Sequence, residues 1–229
     1  MAATDYDSYV RAEWDLFIED PSRFRSSLEA VAGITVDRVL DIGCGAGQEL
    51  LPFVSTSATL GVGIDISPEV GLAGRELFAR HELQTRVVFA RSSAERLPFR
   101  THTFDVVVCR LMLPYTNNEE ALAEMARVLR PRGALFLKIH HARYYVRKLW
   151  SGLLHSQFLS AAHASRVLVN GIIYNISRRQ PCAANEKFSE TFQTRWLLRK
   201  ELARQKLSIR HELPDSNPAT PSFLVIKES

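Results

Sequence analysis

Cysteine is scarce in this chain of 229 residues, and the three present (Cys44, Cys109 and Cys182) are odd in number and never spaced as CxxC. A disulfide framework is therefore excluded, and no zinc-ligand pattern is offered. No stretch reaches the roughly 18 uninterrupted apolar residues of a membrane span. The first residues, Met1 to Asp7, are small and acidic, without the basic start and apolar run of a secretory leader. A reducing cytoplasm is the expected compartment. Internal repeats and low-complexity tracts are missing too, which removes the fibrous and disordered classes. What remains is ordinary globular composition, 46% apolar and 24% charged, in a chain long enough for one domain with a real core.

Acidic residues are also scarce in one region. Residues 1–140 carry 15 Lys/Arg against 19 Asp/Glu, whereas residues 141–211 carry 13 against 3. The tail, 212–229, holds 1 against 3, so the net charge of +4 conceals a basic block. Such a block suits an anionic partner, whether substrate, membrane surface or nucleic acid. The competing reading is a solvated helical face that serves solubility.

Periodicity gives the architecture. Tyr9, Trp14, Phe17, Ile18, Phe24 and Leu28 recur at helical intervals over 8–31, with Pro21 as a break. Short apolar runs at 36–42, 59–65, 86–90, 104–109 and 134–139 read as buried strands. Helical patterns at 47–54, 68–81 and 118–130 separate them, and Leu129 to Gly133 reads as the turn into the fifth strand. Strands apolar on consecutive residues, alternating with amphipathic helices, predict a parallel sheet covered on both faces. After His140 the rhythm becomes helical, through Val146, Leu149, Trp150, Leu153, Leu154 and Phe158. Residues 166–176 read as a helix, although Asn170-Gly171 is also a hairpin signal. A helix at 190–205 and strands at 207–213 and 223–226 close the pattern, with a Pro-rich loop over 214–221. Residues 141–189 thus read as an insertion within a single domain spanning 1–229.

The segment Val39-Leu40-Asp41-Ile42-Gly43-Cys44-Gly45-Ala46-Gly47 carries the chemistry. Alternate glycines between a strand and a helix let the backbone turn sharply and approach a ligand closely. The spacing is GxGxG, neither the GxGxxG dinucleotide fingerprint nor a P-loop. Asp65 ends the second strand, where a carboxylate can accept both hydroxyl hydrogens of a ribose. A turn or helix-cap role is its structural alternative.

With these residues the chain resembles a known family. VLDIGCGAG at 39–47, GVGIDIS at 61–67, SSAERLPF at 92–99, FDVVVC at 104–109 and ARVLRPRGALFL at 126–137 resemble the ubiquinone/menaquinone-biosynthesis-type (type 11) domain. That domain belongs to the class I S-adenosylmethionine-dependent methyltransferases. The resemblance covers 36–140. It implies a Rossmann-like, doubly wound α/β sheet of seven strands with the last antiparallel, helices on both faces, and S-adenosylmethionine as cofactor. It implies that Asp41, Gly43, Cys44, Gly45 and Gly47 hold the methionine moiety, with Asp65 and Ile66 at the ribose. Ser93 and Ala94 would border the adenine, and Arg110 and Leu111 the sulfonium end.

Two positions depart from the family pattern. Ser93 replaces the usual aspartate at the adenine, keeping an acceptor without the charge. Arg110 stands where Asn, Ser or His is usual, and a cation close to a sulfonium is repulsive. It would grip the cofactor carboxylate or an anionic substrate, or else be a solvated loop arginine. His140 is the candidate general base, against the plainer reading of a histidine capping a strand end. His141 and Tyr115 also follow strands into this region, whereas His102 lies at the wrong end of the sheet. The N-terminal helices and the insertion are expected to cover the cofactor and shape a pocket for a small acceptor, anionic or amphipathic. Peripheral membrane contact stays open. The alternatives are an RNA methyltransferase using the basic block, without an RNA-binding motif to favour it, and a non-catalytic cofactor-binding module. No metal site is indicated.

Overall fold

The computed structural model describes residues 3–181, 190–214 and 217–229. The apolar runs form β1 (Arg38–Ile42), β2 (Leu60–Asp65), β3 (Val87–Arg91), β4 (Phe104–Arg110) and β5 (Leu129–Lys138). These five pair in parallel in the order β3-β2-β1-β4-β5. Strands β6 (Leu207–Leu213) and β7 (Ser222–Lys227) extend the sheet as β5-β7-β6, with β7 antiparallel to both neighbours. The seven-stranded, doubly wound sheet and its reversed last strand are as the resemblance implies. Strand order turns back between β1 and β4, the place where ligands of open α/β sheets bind beyond the strand carboxyl ends.

Consecutive apolar residues are needed because both faces are covered. Val39 and Val106 enter one core, Leu40 and Val107 the other. On the first face lie α1 (Ala3–Glu19), α2 (Pro21–Ala30), α3 (Leu51–Val54) and α4 (Leu72–Arg80). There Trp14 meets Phe78 edge-on at 5.1 Å and Phe53 packs on Phe136 at 5.9 Å. On the second face α5 (Asn118–Val128) and α8 (Arg195–Arg204) bury Leu122, Met125, Leu198 and Leu202. Pro21 opens α2 at its first position, where a missing N–H costs nothing, and Asp20 caps that end by accepting from Ser22 N at 3.1 Å.

The insertion forms α6 (Ala142–Leu154) and α7 (Phe158–Ser177), a helical hairpin with a small core of Tyr145, Val167 and Phe192. Residues 182–189 lie outside the described residues. Asn170-Gly171 makes no turn: both residues sit inside α7, and a Cβ on Gly171 would stand 2.2 Å from Phe192 Cδ1. The glycine admits a neighbouring ring, which is why it imitates a hairpin signal.

Three expected boundaries shift. The helix at 190–205 begins only at Arg195, capped by Thr194 Oγ1 accepting from Leu197 N at 3.2 Å, and 190–194 has no helical structure. The helix at 68–81 is shortened to Leu72–Arg80. The expected turn at 129–133 belongs to β5, where Leu129 pairs with Phe104 before a register shift and Arg132 takes a φ of 62°. Pro131 and Gly133 distort the strand rather than precede it.

At the amino end of the sheet, Asp105 joins β4 to β1. Its Oδ2 accepts from Asp37 N and Arg38 N, both at 2.9 Å, and Oδ1 accepts from Arg130 Nη1 at 2.6 Å. Asp105→Ala leaves these donors without their acceptor and should lower stability by about 2 kcal/mol, read as a lower urea midpoint. An unchanged midpoint would show that water replaces the carboxylate at no cost.

Candidate functional site

Parallel strands deliver their carboxyl ends to one edge, and the site residues expected from the sequence arrive there, whereas His102 lies before β4 at the opposite end. In sheet order these are Ser93 and Ala94 after β3, Asp65 and Ile66 at and after β2, and Asp41 with the glycine loop on and after β1. Arg110 and Leu111 follow at the end of β4, and His140 after β5. Ala94 and Cys44 are buried, Ser93 and Asp65 half-buried, and Ile66 exposed.

The loop is held by its own backbone. Gly43 N and Cys44 N donate to Ile64 O at 2.8 and 3.0 Å, pinning the turn to β2. Gly43, Gly45 and Gly47 have φ of 70°, 54° and 84°, the left-handed region that side chains strain to occupy. Asp65 serves the same turn, because Oδ2 accepts from Gly45 N at 3.3 Å and Oδ1 from Ser67 N at 3.0 Å. Its turn-forming role is therefore real, and it leaves the half-buried carboxylate fixed beside the loop. Tyr6 of α1 stands close to Asp65, and burial first, then that carboxylate, pushes the Tyr6 hydroxyl above its ordinary value. Val10 of α1 lies over the loop, with Cγ1 3.3 Å from where a Gly45 Cβ would stand. The N-terminal helix thus covers the loop, as expected.

Beneath the loop is a buried charge cluster. Asp41 is 2% exposed and its Oδ2 has no hydrogen-bond partner. Burial, and then the Glu49 carboxylate, hold the Asp41 carboxyl well above the usual carboxylate range. Glu49, in the helical turn after the loop, is buried between two guanidinium groups, Arg23 of α2 and Arg110 at 2.8 Å. Arg110 is therefore no solvated loop arginine. Glu49 and Arg23 were not recognised from sequence: Glu49 lies next to the glycine motif, but nothing local marks Arg23. Leu111, with φ of 62°, turns the chain after β4, and the adjoining Met112 packs where a Gly43 Cβ would fall.

Around His140 the side chains are aromatic. Its ring stacks on Tyr144 at 4.4 Å and meets Tyr115 edge-on at 6.4 Å. The Tyr145 hydroxyl donates to Glu190 Oε1 at 2.7 Å and lies 3.3 Å from His140 Nδ1. A hydroxyl whose proton is committed to a carboxylate can only accept from the imidazole. The network thus assigns the His140 proton to Nδ1 and leaves Nε2 as the basic nitrogen. Glu190 Oε2 pairs in turn with His163 Nε2 at 2.7 Å. Glu190 escaped sequence reading because it lies in a segment expected to be helical, and the extended chain of 190–194 carries it here. Burial first, then Lys148 and Lys138, lower His140 to about 4.

The family described as a methyltransferase domain matches residues 40–137. Over these residues, a little under half of the chain, the sequence is similar to a methyltransferase domain. The chain is 36% identical over 106 residues, 46% of its length, to the uncharacterized methyltransferase YcgJ of Bacillus subtilis. It is 36% identical over 104 residues, 44% of its length, to the ubiquinone/menaquinone biosynthesis C-methyltransferase UbiE of Ectopseudomonas mendocina. It spans 41% of the length of each of these relatives. Among solved structures, magnesium protoporphyrin IX methyltransferase from Synechocystis, with SAH bound, shares the fold at a TM-score of 0.56 and 15% identity, over 97% of this chain and 83% of that one. The cofactor of this domain is S-adenosylmethionine, and the residues present suit it. The unpartnered Asp41 Oδ2 is an open acceptor of the kind that the cofactor's ammonium needs, and the half-buried Asp65 carboxylate stands beside the loop.

Asp65→Ala should weaken S-adenosylmethionine binding by about 2–4 kcal/mol in titration calorimetry, and unchanged affinity would restrict Asp65 to its turn. His140 gives a pH test. Its folded value of about 4 lies below the ordinary 6.5, so the unfolded chain takes up the proton first as pH falls. Its contribution to stability should be complete above pH 6.5 and fade towards pH 4, by at most roughly 3 kcal/mol. His140→Gln should flatten that part of the stability curve, and an unaltered curve would place the titration on another group.

Proposed function

We propose that the chain transfers the methyl group of S-adenosylmethionine to a small-molecule acceptor of amphipathic or anionic character. The reading rests on one observation: at the same carboxyl end of the sheet as the glycine loop and Asp65, His140 is buried in a cluster of Tyr115, Tyr144 and Tyr145. Residues 36–140 form the cofactor half and 141–189 the acceptor side of a single domain. A cytoplasmic location fits the buried, unpaired thiols of Cys44 and Cys109.

Bound S-adenosylmethionine supplies a methyl group on a sulfonium whose leaving group is already activated by charge. What the chain supplies is alignment, worth up to ~7–11 kcal/mol in favourable cases. Asp41 and the turn of Gly43, Cys44, Gly45 and Gly47 bind the methionine end, and Asp65 and Ile66 bind the ribose. Ser93 and Ala94 border the adenine. Leu111 shapes the methyl end, and Glu49 holds Arg110 away from direct charge contact with a sulfonium. Tyr115 and Tyr144 provide flat apolar surface for an acceptor. His140, with its proton on Nδ1, accepts the acceptor's proton at Nε2 when the reaction releases one. Tyr145 and Glu190 position that ring.

Among the cations directly after β5, Arg143 and Arg147 are exposed and Lys148 is half-buried, so Lys148 is the proposed partner for an acceptor anion. An RNA substrate instead calls for a row of phosphate contacts. Arg199 and Lys200 on α8 are distant in sequence from this edge, and the rings next to His140 pack on one another. The buried cofactor machinery argues against a module without turnover.

The protein should bind S-adenosylmethionine and its demethylated product at micromolar concentrations. Methyl transfer to a fractionated small-molecule extract should fall at least about tenfold in Lys148→Ala, and much less in Arg199→Ala or Lys200→Ala. Tight RNA binding that weakens steeply over a salt series would overturn the small-molecule reading.

A further inference from the structure

A soluble helical hairpin buries its apolar stripes; this one leaves several in water. At its tip Leu154 is 78% and Leu159 90% exposed, with Leu153 and Phe158 also exposed beside them. The stripe runs back along α6 through Trp150, 62% exposed, and Val146. On α7, Val169, Ile172, Ile173 and Ile176 are exposed at helical spacing. The buried contacts of the hairpin are elsewhere: Gly152 packs on Ala161, and Tyr145 and Val167 pack with Phe192. Contiguous exposure of this kind marks an interaction surface.

Charge identifies the occupant. From 141 to 185 the sequence has no Asp or Glu, against six Lys/Arg: Arg143, Arg147, Lys148, Arg166, Arg178 and Arg179. Arg143 and Arg147 are exposed one turn apart on α6, flanking Val146 and Trp150. A hairpin with exposed Trp, Leu and Phe, cations along the border and no carboxylate is built for the interface of an anionic bilayer. A second copy of the chain would bring the same excess of cations against itself. No described helix is long and apolar enough to cross a membrane, so the contact is peripheral.

We infer that the α6–α7 hairpin docks the protein on anionic lipid surfaces, with its tip among the acyl chains and the α6 arginines at the headgroups. The α6 helix begins two residues after His140, so docking brings the proposed acceptor side to the bilayer; that consequence alone rests on the proposed function.

The test is co-sedimentation of the full chain with vesicles of equimolar phosphatidylcholine and phosphatidylglycerol, against phosphatidylcholine alone. Binding is expected to the mixed vesicles and should drop at least about tenfold in the double variant L154E/L159E. Both positions are exposed, so the fold should tolerate the charges. R143E/R147E should weaken binding to the mixed vesicles, whereas R199E/K200E on α8 should leave most of it. In W196F, where Trp150 is the exposed tryptophan that remains, emission should shift to the blue on adding mixed vesicles. Unaltered partitioning of L154E/L159E, or no partitioning of the wild type, would overturn the inference. A concentration-dependent dimer abolished by L154E/L159E, without vesicle binding, would assign the face to a second copy instead. S-adenosylmethionine affinity in buffer should be the same in L154E/L159E as in the wild type, which separates this inference from the enzymatic reading.

Discussion

A carboxylate taken out of water must be met by opposite charge, and the arrangement around Glu49 follows from that requirement. Its two guanidinium partners come from different layers, Arg23 from a covering helix and Arg110 from the end of β4. The ion pairs therefore fasten the N-terminal cover to the sheet at the edge where the glycine loop turns. Such a buried triad contributes little net stability over apolar packing, but losing one member leaves a charge stranded. Its contribution is placement: Arg110 stays committed to Glu49, and Asp41 keeps an unsatisfied oxygen.

The strands and the glycine loop of residues 36–140 were legible in the sequence because their determinants are local. Strand runs, the alternate glycines and Asp65 lie within short windows, and backbone geometry forces each of them. The hairpin and the segment after it were less so. Gly171 looked like part of a turn, yet its small size serves a ring more than twenty residues downstream. Glu190 looked helical, yet Thr191 N donates to Pro114 O and Gln193 N to His140 O at 3.3 and 3.1 Å, holding that stretch across the strand ends. These are long-range contacts, for which a single sequence carries no periodic signal. Arg110 was visible as an anomaly, but its partner depended on how α2 packs.

His140 shows how burial and basicity oppose each other. Desolvation keeps its ring neutral, which a base requires, but makes it a reluctant acceptor of a proton. The hydroxyl of Tyr145 offsets part of this by fixing the tautomer, and Glu190 fixes the hydroxyl. Chemistry that needs full deprotonation of a weakly acidic acceptor is poorly served by such a residue. An acceptor already nucleophilic, or one that sheds its proton late, suits it better.

The position of β7 between β5 and β6 bears on how the chain is made. Residues 139–221 intervene between β5 and β7, so during synthesis the outer edge of β5 stays open while the whole hairpin and α8 emerge from the ribosome. An unpaired strand edge is a template for association with other chains. The exposure is softened by Pro131 and two arginines in the irregular first half of β5, which keep that half from offering a flat edge. The second half, Ala134 to Lys138, has no such protection until β7 arrives to pair with it. Nascent-chain aggregation is therefore a hazard of this topology, concentrated on five residues.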